Sequence, residues 1–417
     1  VLIPRGKQWA SRVDIFCCDG LLFATDHRYM FLAEDQFSEQ PVMYIGMDSH
    51  GLVQVAPQVQ SAATLDLCCG SGIQGIVASR YSHRVVSVDV NPRAVRFTRF
   101  NAQLNGVENL SAFTGNLYEP VNGEHFDVIL ANPPFVPSPH SDYKFRDGGA
   151  NGERILRRIV EQSATHLSAT GRLSIVTDLV DVQRYQEKLD SWCGRETMDH
   201  LVLKTAERDA LLFCVPHSHA PFGQTFEAYN AALDQWVDNF EQEGLSGVNF
   251  GYILSRRSAR PHSTYFCRTV NNPATPVHEM VEEFFRMLSI LESKQNRDYY
   301  VGVNPSIRLN TETDIGGEQR SVELRVPENP YFTRYDCTSG IVRLLQEVQE
   351  QRPRLGDILT EANRDTLRDL ILKGILNLTK YSRIGETPEA TNESPGDMAV
   401  REYETKTTPT CLSSYLS

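Results

Sequence analysis

Short apolar runs typical of buried strands alternate with helix-like segments in the first part of the chain, and this alternation limits the possible folds most. The strand-like runs are residues 63–68, 85–89, 110–113, 126–130 and 172–177, and the helix-like segments include residues 73–79, 92–104 and 152–166. Parallel strands need crossover connections, which helices on the two faces of a sheet supply. The sequence therefore predicts an α/β fold with a Rossmann-like sheet. Two later candidates, residues 249–254 and 263–267, are expected to complete seven strands as a terminal hairpin.

The rest of the chain divides around this sheet. Residues 1–60 mix short apolar runs with turn residues and predict a small N-terminal cap, and residues 61–272 form the predicted sheet domain. The order of helices and strands in residues 273–385 predicts a C-terminal α+β accessory domain that is winged-helix-like. This module lacks the lysines and arginines of a DNA reader, which favours packing or peptide docking. Residues 386–417 are rich in Glu, Thr, Ser and Pro, and we expect them to be disordered.

Composition and charge argue against several functional classes. The 417 residues carry a formal net charge of −12, whereas broad nucleic-acid binding needs clustered basic residues. Nine cysteines are scattered without a CxxC or metal-binding spacing, so we expect reduced thiols in a cytoplasmic protein. No apolar run reaches membrane-spanning length, which predicts no membrane partner. His217-Ser218-His219 has no carboxylate or cysteine partner at a suitable spacing, and we predict no metal site.

A glycine-rich turn is predicted between the first strand of the sheet and its helix. Residues 66–75 read DLCCGSGIQG and contain the spacing Gly-x-Gly-x-x-Gly, in which glycines let a nucleotide cofactor approach the backbone. Asp89 ends the next strand, 17 residues after Gly72, where a carboxylate can accept hydrogen bonds from both hydroxyls of a ribose. NAD and S-adenosylmethionine share that ribose, so the two motifs predict a nucleoside cofactor without separating these two.

Two details favour S-adenosylmethionine. Asp66 precedes the glycines, and a carboxylate attracts the methionine ammonium but repels a pyrophosphate. No tyrosine is followed by lysine four residues later, so one common dehydrogenase pair is missing. After the third strand, Asn116 is placed to hydrogen-bond an adenine edge and Leu117 to pack on its face, although a plain turn residue is an equal alternative for Asn116. The predicted cofactor-binding residues are Asp66, Cys68, Gly70, Gly72, Asp89, Asn116 and Leu117.

The fourth strand ends in a rigid elbow, residues 132–135, which read NPPF. Proline fixes its own φ and biases the preceding residue toward extended geometry. An amide or aryl amine is a weak nucleophile because its lone pair is delocalised. Acceptors at Asn132 Oδ1 and the Pro133 carbonyl can hold its N–H groups in line with a sulfonium, and Phe135 can stack on a planar substrate. The predicted catalytic residues are Asn132, Pro133, Pro134 and Phe135.

Taken together, these motifs resemble the class I S-adenosylmethionine-dependent methyltransferases with an (Asn/Asp)-Pro-Pro-aromatic motif. The segment 145–152, FRDGGANG, is similar to the Gly-Gly-x-x-Gly region of the release-factor glutamine N5-methyltransferase type, and related groups methylate adenine N6 or guanine N2. The resemblance covers residues from about 44 to 270. It implies that residues of the glycine turn and Asp89 bind the cofactor, and that the NPPF elbow holds the target nitrogen.

Departures from the release-factor type leave the acceptor open. That type carries a helical N-terminal domain and usually has tyrosine where Phe135 stands, and it has no counterpart of the module after Pro273. The whole layout resembles a larger group of bacterial glutamine-methyltransferase-like proteins. The predicted acceptor is a planar amide or amino nitrogen of a protein glutamine, a nucleobase or a small molecule.

Two other functions remain open from the sequence. One is a natural-product methyltransferase that acts on a small amine, guanidine or hydroxyl group. The other is a non-catalytic regulatory protein that binds the cofactor and docks a partner through its C-terminal module. Beyond the elbow, Tyr143, Phe145 and Arg146 are candidates for the acceptor pocket, with ordinary loop packing as the alternative. The cluster Arg256, Arg257 and Arg260 is interpreted as a solvated turn.

Overall fold

The computed structural model describes most of the chain. It covers residues 2–5, 8–11, 13–27, 40–141, 143–194, 197–218, 224–258, 260, 262–270, 276–317, 319–326 and 335–380. The predicted tail, the predicted domain boundary at Pro273 and His219 lie outside these residues. Among the helices of this part of the chain, none is long and apolar enough to span a membrane.

Strands and helices alternate through the described residues. In chain order the strands are β1 (Leu2–Arg5), β2 (Gln8–Ser11), β3 (Val13–Cys18), β4 (Leu21–Asp26), β5 (Ser61–Leu67), β6 (Ser82–Asp89), β7 (Leu110–Thr114), β8 (Phe126–Ala131), β9 (Leu167–Val180), β10 (Met198–Asp209), β11 (Gly247–Arg257), β12 (Thr264–Thr269), β13 (Tyr300–Val303), β14 (Arg308–Thr313), β15 (Gln319–Arg325), β16 (Tyr335–Asp336) and β17 (Leu376–Thr379). The α-helices are α1 (Met47–Val55), α2 (Ile73–Ala78), α3 (Pro92–Leu104), α4 (Arg154–His166), α5 (Tyr185–Cys193), α6 (Ala210–His217), α7 (Phe226–Glu243), α8 (His278–Leu291), α9 (Ser339–Gln351), α10 (Leu355–Ile358) and α11 (Arg364–Leu372).

The central sheet has the strand order β12-β10-β11-β9-β8-β5-β6-β7. The five strands from β9 to β7 run parallel, whereas β11 runs antiparallel to both of its neighbours. From β5 the chain moves outward to β6 and β7, and then returns to the other side of β5 as β8. This reversal opens a crevice at the carboxyl ends of β5 and β8, where ligands bind in open α/β sheets.

The predicted α/β fold is confirmed, but the sheet has eight strands rather than seven. The missed strand is β10, and it lies between β11 and β12, so the predicted hairpin of those two strands is wrong. The sequence hides β10 because buried polar residues interrupt its apolar pattern. Asp199 accepts hydrogen bonds from Arg260 and from Thr264, and His200 Nδ1 lies 2.8 Å from Ser255 Oγ.

The N-terminal hairpin β3–β4 packs on α3. Asn101 bonds Ala24 in both directions, accepting from its N–H at 2.8 Å and donating to its carbonyl at 2.9 Å. Buried Asp26, at the end of β4, forms an ion pair with Arg93 at the start of α3 and also accepts from the N–H of Val42. These contacts place residues 40–46 beside the crevice of the sheet.

The C-terminal segment contains helices and antiparallel strands, as expected, and shares one apolar core with the sheet. Leu52 of α1, Phe285 of α8 and Leu370 of α11 are buried in the same cluster. Arg172 of β9 donates two hydrogen bonds to Glu282 of α8, at 2.6 and 2.7 Å. Since α1 packs on both β9 and α8, the C-terminal segment fixes the position of α1 against the sheet.

Candidate active site

A cavity of about 260 Å³ lies at the carboxyl ends of the central strands. The predicted site residues that line it are Cys68, Gly70, Asp89, Asn116, Leu117, Asn132, Pro134, Tyr143 and Phe145. The predicted residues Asp66, Gly72, Pro133, Phe135 and Arg146 stand behind this lining. Most of the predicted cofactor and acceptor residues are therefore brought to one place.

The glycine turn after β5 uses its two first glycines differently. Both have left-handed backbone, with φ of +54° at Gly70 and +85° at Gly72. A Cβ at Gly72 would lie 2.8 Å from Cγ2 of Thr98 on α3, so this glycine allows close packing of the helix. A Cβ at Gly70 would meet no heavy atom within 4 Å and would point into open space. Gly70 thus gives a ligand access to the backbone.

The carboxylate of Asp89 is fixed at the cavity wall by backbone donors. Its Oδ2 accepts from the N–H of Gly70 at 2.9 Å, and its Oδ1 accepts from the N–H of Asn91 at 2.8 Å. Burial raises the pKa of this carboxyl group. Each oxygen retains a lone pair, so Asp89 can still accept a hydrogen bond from each hydroxyl of a ribose.

Asp66 places a second carboxyl group beneath the turn, where it is 1% exposed. Its Oδ2 accepts from the N–H of Gly75 at 2.9 Å, whereas Oδ1 is buried and has no hydrogen-bond partner among the described residues. Burial raises the pKa of Asp66 to about 7. Asp66 does not line the cavity, so its negative charge favours a cationic ligand group through the turn and not by direct contact. Together with the open space at Gly70 and the carboxylate of Asp89, it fits S-adenosylmethionine.

Asn116 and Leu117 form the wall next to Asp89. Asn116 Nδ2 donates to Glu119 Oε1 at 3.1 Å, and its Oδ1 accepts from Arg158 Nη1 at 3.3 Å. These bonds orient the amide and leave it one N–H without a partner in the part of the chain that the structure describes. Leu117 has φ of +54° and lines the cavity. The predicted adenine contacts of both residues stay a prediction that this placement allows.

The Asn132 side chain is held by the first turn of α1. Its Nδ2 donates to Asp48 Oδ2 at 2.8 Å and to Ser49 Oγ at 3.2 Å, and both partners stand in the first turn of α1. Asn132 Oδ1 accepts no hydrogen bond from the described residues, and Asn132 lines the cavity. Sequence reasoning missed Asp48 and Ser49. The local sequence provided little signal, because both residues stand in the polar stretch Asp48-Ser49-His50 that precedes Leu52 and Val53.

The residues after Asn132 are clamped by the loop that follows them. Val136 donates to the carbonyl of Arg146 at 3.0 Å and accepts from the N–H of Gly148 at 3.0 Å. A Cβ at Gly152 would lie 2.5 Å from the carbonyl oxygen of Phe135, so only glycine permits this approach. The Phe135 ring packs at the edge of the cluster of Phe213, Trp236 and Phe240 rather than in the cavity lining. A stacking role for Phe135 stays a prediction.

Two of the three acceptor-pocket candidates reach the cavity. The rings of Tyr143 and Phe145 line it with their centroids 5.5 Å apart. Arg146 lies behind them, with its guanidinium carbon 4.8 Å from the centroid of the Tyr143 ring and its Nε donating to Asp147 Oδ1 at 2.7 Å. Lys144 also lines the cavity and has no ion-pair partner among the described residues. The arginine cluster of residues 256, 257 and 260, predicted as a solvated turn, is not fully solvated, because Arg260 pairs with buried Asp199.

The His217 ring packs on Phe213 with centroids 4.3 Å apart, and its Nδ1 lies 2.7 Å from the carbonyl oxygen of Phe213. Within the ranges that the structure describes, no three His, Cys, Asp or Glu side chains come close enough to hold a metal ion.

Comparison with known proteins places the chain in a family. A family model described as the methyltransferase small domain matches residues 44–198. A putative protein N5-glutamine methyltransferase from Methanocaldococcus jannaschii is 35% identical over 137 residues, which are 31% of this chain and 68% of that protein. The release factor glutamine methyltransferase of Aquifex aeolicus is 31% identical over 136 residues, which are 30% of this chain and 48% of the relative. The chain thus spans 68% of the first relative and about half of the second.

Among solved structures, a putative methyltransferase from Streptococcus mutans matches with a TM-score of 0.35 and 13% identity, over 60% of this chain and 57% of that one. At so low a TM-score, the fold assignment rests on the sheet order of this chain itself. The resemblance predicted from the sequence motifs is confirmed by the family model and the relatives. The chain belongs to the class I S-adenosylmethionine-dependent methyltransferases that share the methyltransferase small domain.

Proposed function

We propose that this protein is an N-methyltransferase whose acceptor is a planar amide or amino nitrogen. The observation that carries the proposal is the Asn132 amide, whose donors are occupied by Asp48 and Ser49 while Oδ1 is left to the cavity. Bound S-adenosylmethionine supplies an electrophilic methyl group, whose bond to sulfur breaks as the bond to nitrogen forms, leaving S-adenosylhomocysteine. The side chains of this chain supply position and polarity.

Asn132 Oδ1 accepts a hydrogen bond from an N–H group of the substrate and thereby fixes the plane of the substrate amide. This contact strengthens as positive charge develops on the nitrogen, so it stabilises the transition state more than the bound substrate. The Pro133 carbonyl is proposed to take a second N–H. The proton leaves to solvent after transfer, and the rings of Tyr143 and Phe145 flank the acceptor.

We propose the side-chain amide of a protein glutamine as the acceptor. The names of two relatives support this choice, since one is called a putative protein N5-glutamine methyltransferase and the other a release factor glutamine methyltransferase. A net charge of −12 disfavours a polyanionic nucleic-acid substrate, because phosphate neutralisation supplies most of the affinity there. A nucleobase and a small amine are the alternative methyl acceptors, and the experiment must distinguish them from glutamine. We propose the cytoplasm as the compartment, in keeping with an acceptor in the translation machinery.

The test uses the purified protein, radiolabelled S-adenosylmethionine and a lysate separated into protein, nucleic-acid and small-molecule fractions. The expected result is label in protein that disappears with Asn132→Ala. The matched control is Asn122→Ala, which removes the same amide at an exposed position outside the cavity lining. Label in another fraction would replace the glutamine acceptor. Absence of Asn132-dependent label in every fraction, with cofactor binding intact, would favour the non-catalytic binding protein.

A further inference from the structure

We propose that Asp48 is a positioning residue for this reaction: it orients the Asn132 amide, and its buried negative charge makes Asn132 Oδ1 a stronger hydrogen-bond acceptor. The proposal rests on the proposed N-methyltransferase function. Asp48 does not itself line the cavity, whereas Asn132 does. It therefore acts through Asn132 and not on the substrate.

The chemistry of the contact decides which way the Asn132 amide points. An ionised carboxylate only accepts hydrogen bonds, so it selects the NH₂ end of the amide at 2.8 Å. Ser49 Oγ takes the other N–H at 3.2 Å. With both N–H groups occupied, Oδ1 is the end that remains for the acceptor. A rotated amide would set two acceptor oxygens against each other.

The position of Asp48 is set by three structural elements. Gln74 of α2 donates to the carbonyl of Ser49 at 2.8 Å, and Val277, just before α8, donates to the carbonyl of Gln54 at 2.8 Å. The helix α1 itself packs against β9. The contact between Asp48 and Asn132 is therefore built into the packing of the sheet domain and of the C-terminal segment.

The charge of Asp48 has little else to compensate it. The side chain is 8% exposed, and no Lys or Arg of the described residues forms an ion pair with it. The titratable groups that face it are His50 on its own helix, Asp178 on β9 and Tyr252 on β11. Asp178 is already neutralised by Arg208, whose Nη2 lies 2.6 Å from Asp178 Oδ1.

A hydrogen bond to an ionised group is stronger than one between neutral groups. In a low-dielectric interior it also polarises the next hydrogen bond of the same network. The carboxylate withdraws no charge from Asn132 but pushes electron density of the amide toward Oδ1. That oxygen then interacts more strongly with the acceptor N–H as positive charge moves from sulfur to nitrogen. Asp48 thus contributes in the transition state more than in the ground state.

The test compares Asp48→Asn, which retains an acceptor oxygen but not the charge, with Asp48→Ala, which removes both. We expect kcat to fall by about 100-fold or more in D48A, near the loss of about 10²–10³-fold that follows removal of one transition-state hydrogen bond, and by a smaller factor of about 10 to 100 in D48N, which keeps an acceptor oxygen. The dissociation constant of S-adenosylmethionine should change by less than about threefold, because Asp48 does not line the cavity. Burial raises the pKa of Asp48, so kcat of the wild type should fall on acidification and the D48N profile should lose this limb.

Asp127→Asn is the matched control, since Asp127 stands at the opposite end of β8 from Asn132 and its carboxylate accepts from Ala62, Ala63 and Ser168 instead. It should keep kcat within about threefold of the wild type at pH 8. A D48N enzyme with wild-type kcat, beside an inactive N132A enzyme, would overturn the proposal and leave the proposed function standing. Parallel loss of kcat and cofactor binding in D48N would reduce Asp48 to a structural role and also overturn it.

A second measurement does not depend on turnover, so it separates failure of this proposal from failure of the proposed function. The Asn132 side-chain N–H signals, assigned by their loss in N132A, should exchange slowly with solvent in the wild type. In D48A their exchange should be at least about tenfold faster, because the strongest of their two bonds is lost. Equal exchange in both proteins would show that Asp48 does not hold the amide.

Discussion

Two glycines in one turn should respond in opposite ways to the same substitution. Alanine at Gly72 must adopt a left-handed backbone, which costs about 1–2 kcal/mol, and its Cβ would meet Thr98, which adds about 1–3 kcal/mol of overpacking. We therefore expect Gly72→Ala to lower the free energy of unfolding by about 2–5 kcal/mol. Alanine at Gly70 carries only the backbone cost of about 1–2 kcal/mol, because nothing lies within 4 Å of its Cβ.

Binding should show the reverse order. In Gly70→Ala the added Cβ fills the open space through which the cofactor is expected to approach the backbone. We therefore expect Gly70→Ala to lose more affinity for S-adenosylmethionine than Gly72→Ala. Urea unfolding gives the free energies, and calorimetry at low temperature, where both variants stay folded, gives the dissociation constants. Equal stability of the two variants, or wild-type affinity in G70A, would refute the assignment of separate roles.

Three further predictions follow from buried ionisable groups. Because burial raises the pKa of Asp66 to about 7, cofactor affinity should fall as the pH is lowered through 7, and Asp66→Asn should bind weakly at every pH in a calorimetric titration. Above pH 7 the buried Asp66 carboxyl group is ionised, and this lowers the free energy of unfolding of the unliganded protein. D66N lacks the charge, so at pH 8 it should be more stable than the wild type by up to about 4 kcal/mol in urea unfolding. Burial lowers the pKa of His200 to about 4. The folded protein therefore loses about 3 kcal/mol of stability as the pH falls from 6.5 to 4, because the unfolded chain binds the proton first. In a pH series of unfolding curves, His200→Gln should remove this loss. An unchanged pH dependence in D66N or H200Q would contradict these assignments.

Most of the residues proposed to bind the cofactor could be predicted from the sequence, because they stand at the ends of strands or directly after them. Asp66 is the penultimate residue of β5 and pairs with Ser87 of β6, and Asp89 is the last residue of β6. In a parallel sheet, strand ends meet at one edge, so local motifs suffice to bring such residues together. The part of the cavity wall that Cys68, Gly70 and Asp89 form could therefore be predicted from spacing alone.

The acceptor side depends on contacts that no local pattern contains. Asp48 and Asn132 are 84 residues apart in the chain, and their bond exists only because α1 is held between the sheet and α8. The ring of Phe135 packs on the helices α6 and α7, against Phe213 and Trp236, and not in the cavity lining. The motif suggests a free aromatic face at this position, and tertiary packing overrides that expectation.

The strand count failed for a related reason. Alternation of apolar and polar residues identifies a strand only when its inward-facing side chains are apolar. In β10 the residues Asp199 and His200 are buried and satisfied by partners on β11, β12 and the turn between them. These partners compensate the burial of polar groups in three dimensions, which a periodicity argument does not detect.

Asn132 is proposed to direct methyl transfer to an amide or amino nitrogen, so the position of the transferred methyl group should depend on its side chain. The most direct test incubates the labelled protein acceptor with isotopically labelled S-adenosylmethionine and locates the methyl group by tandem mass spectrometry, in parallel for the wild type, N132A and the Asn122→Ala control. We predict a methyl group on a glutamine side-chain nitrogen with the wild type and the control, and none with N132A. A methyl group on oxygen, or the same nitrogen product from N132A, would show that Asn132 does not direct N-methylation.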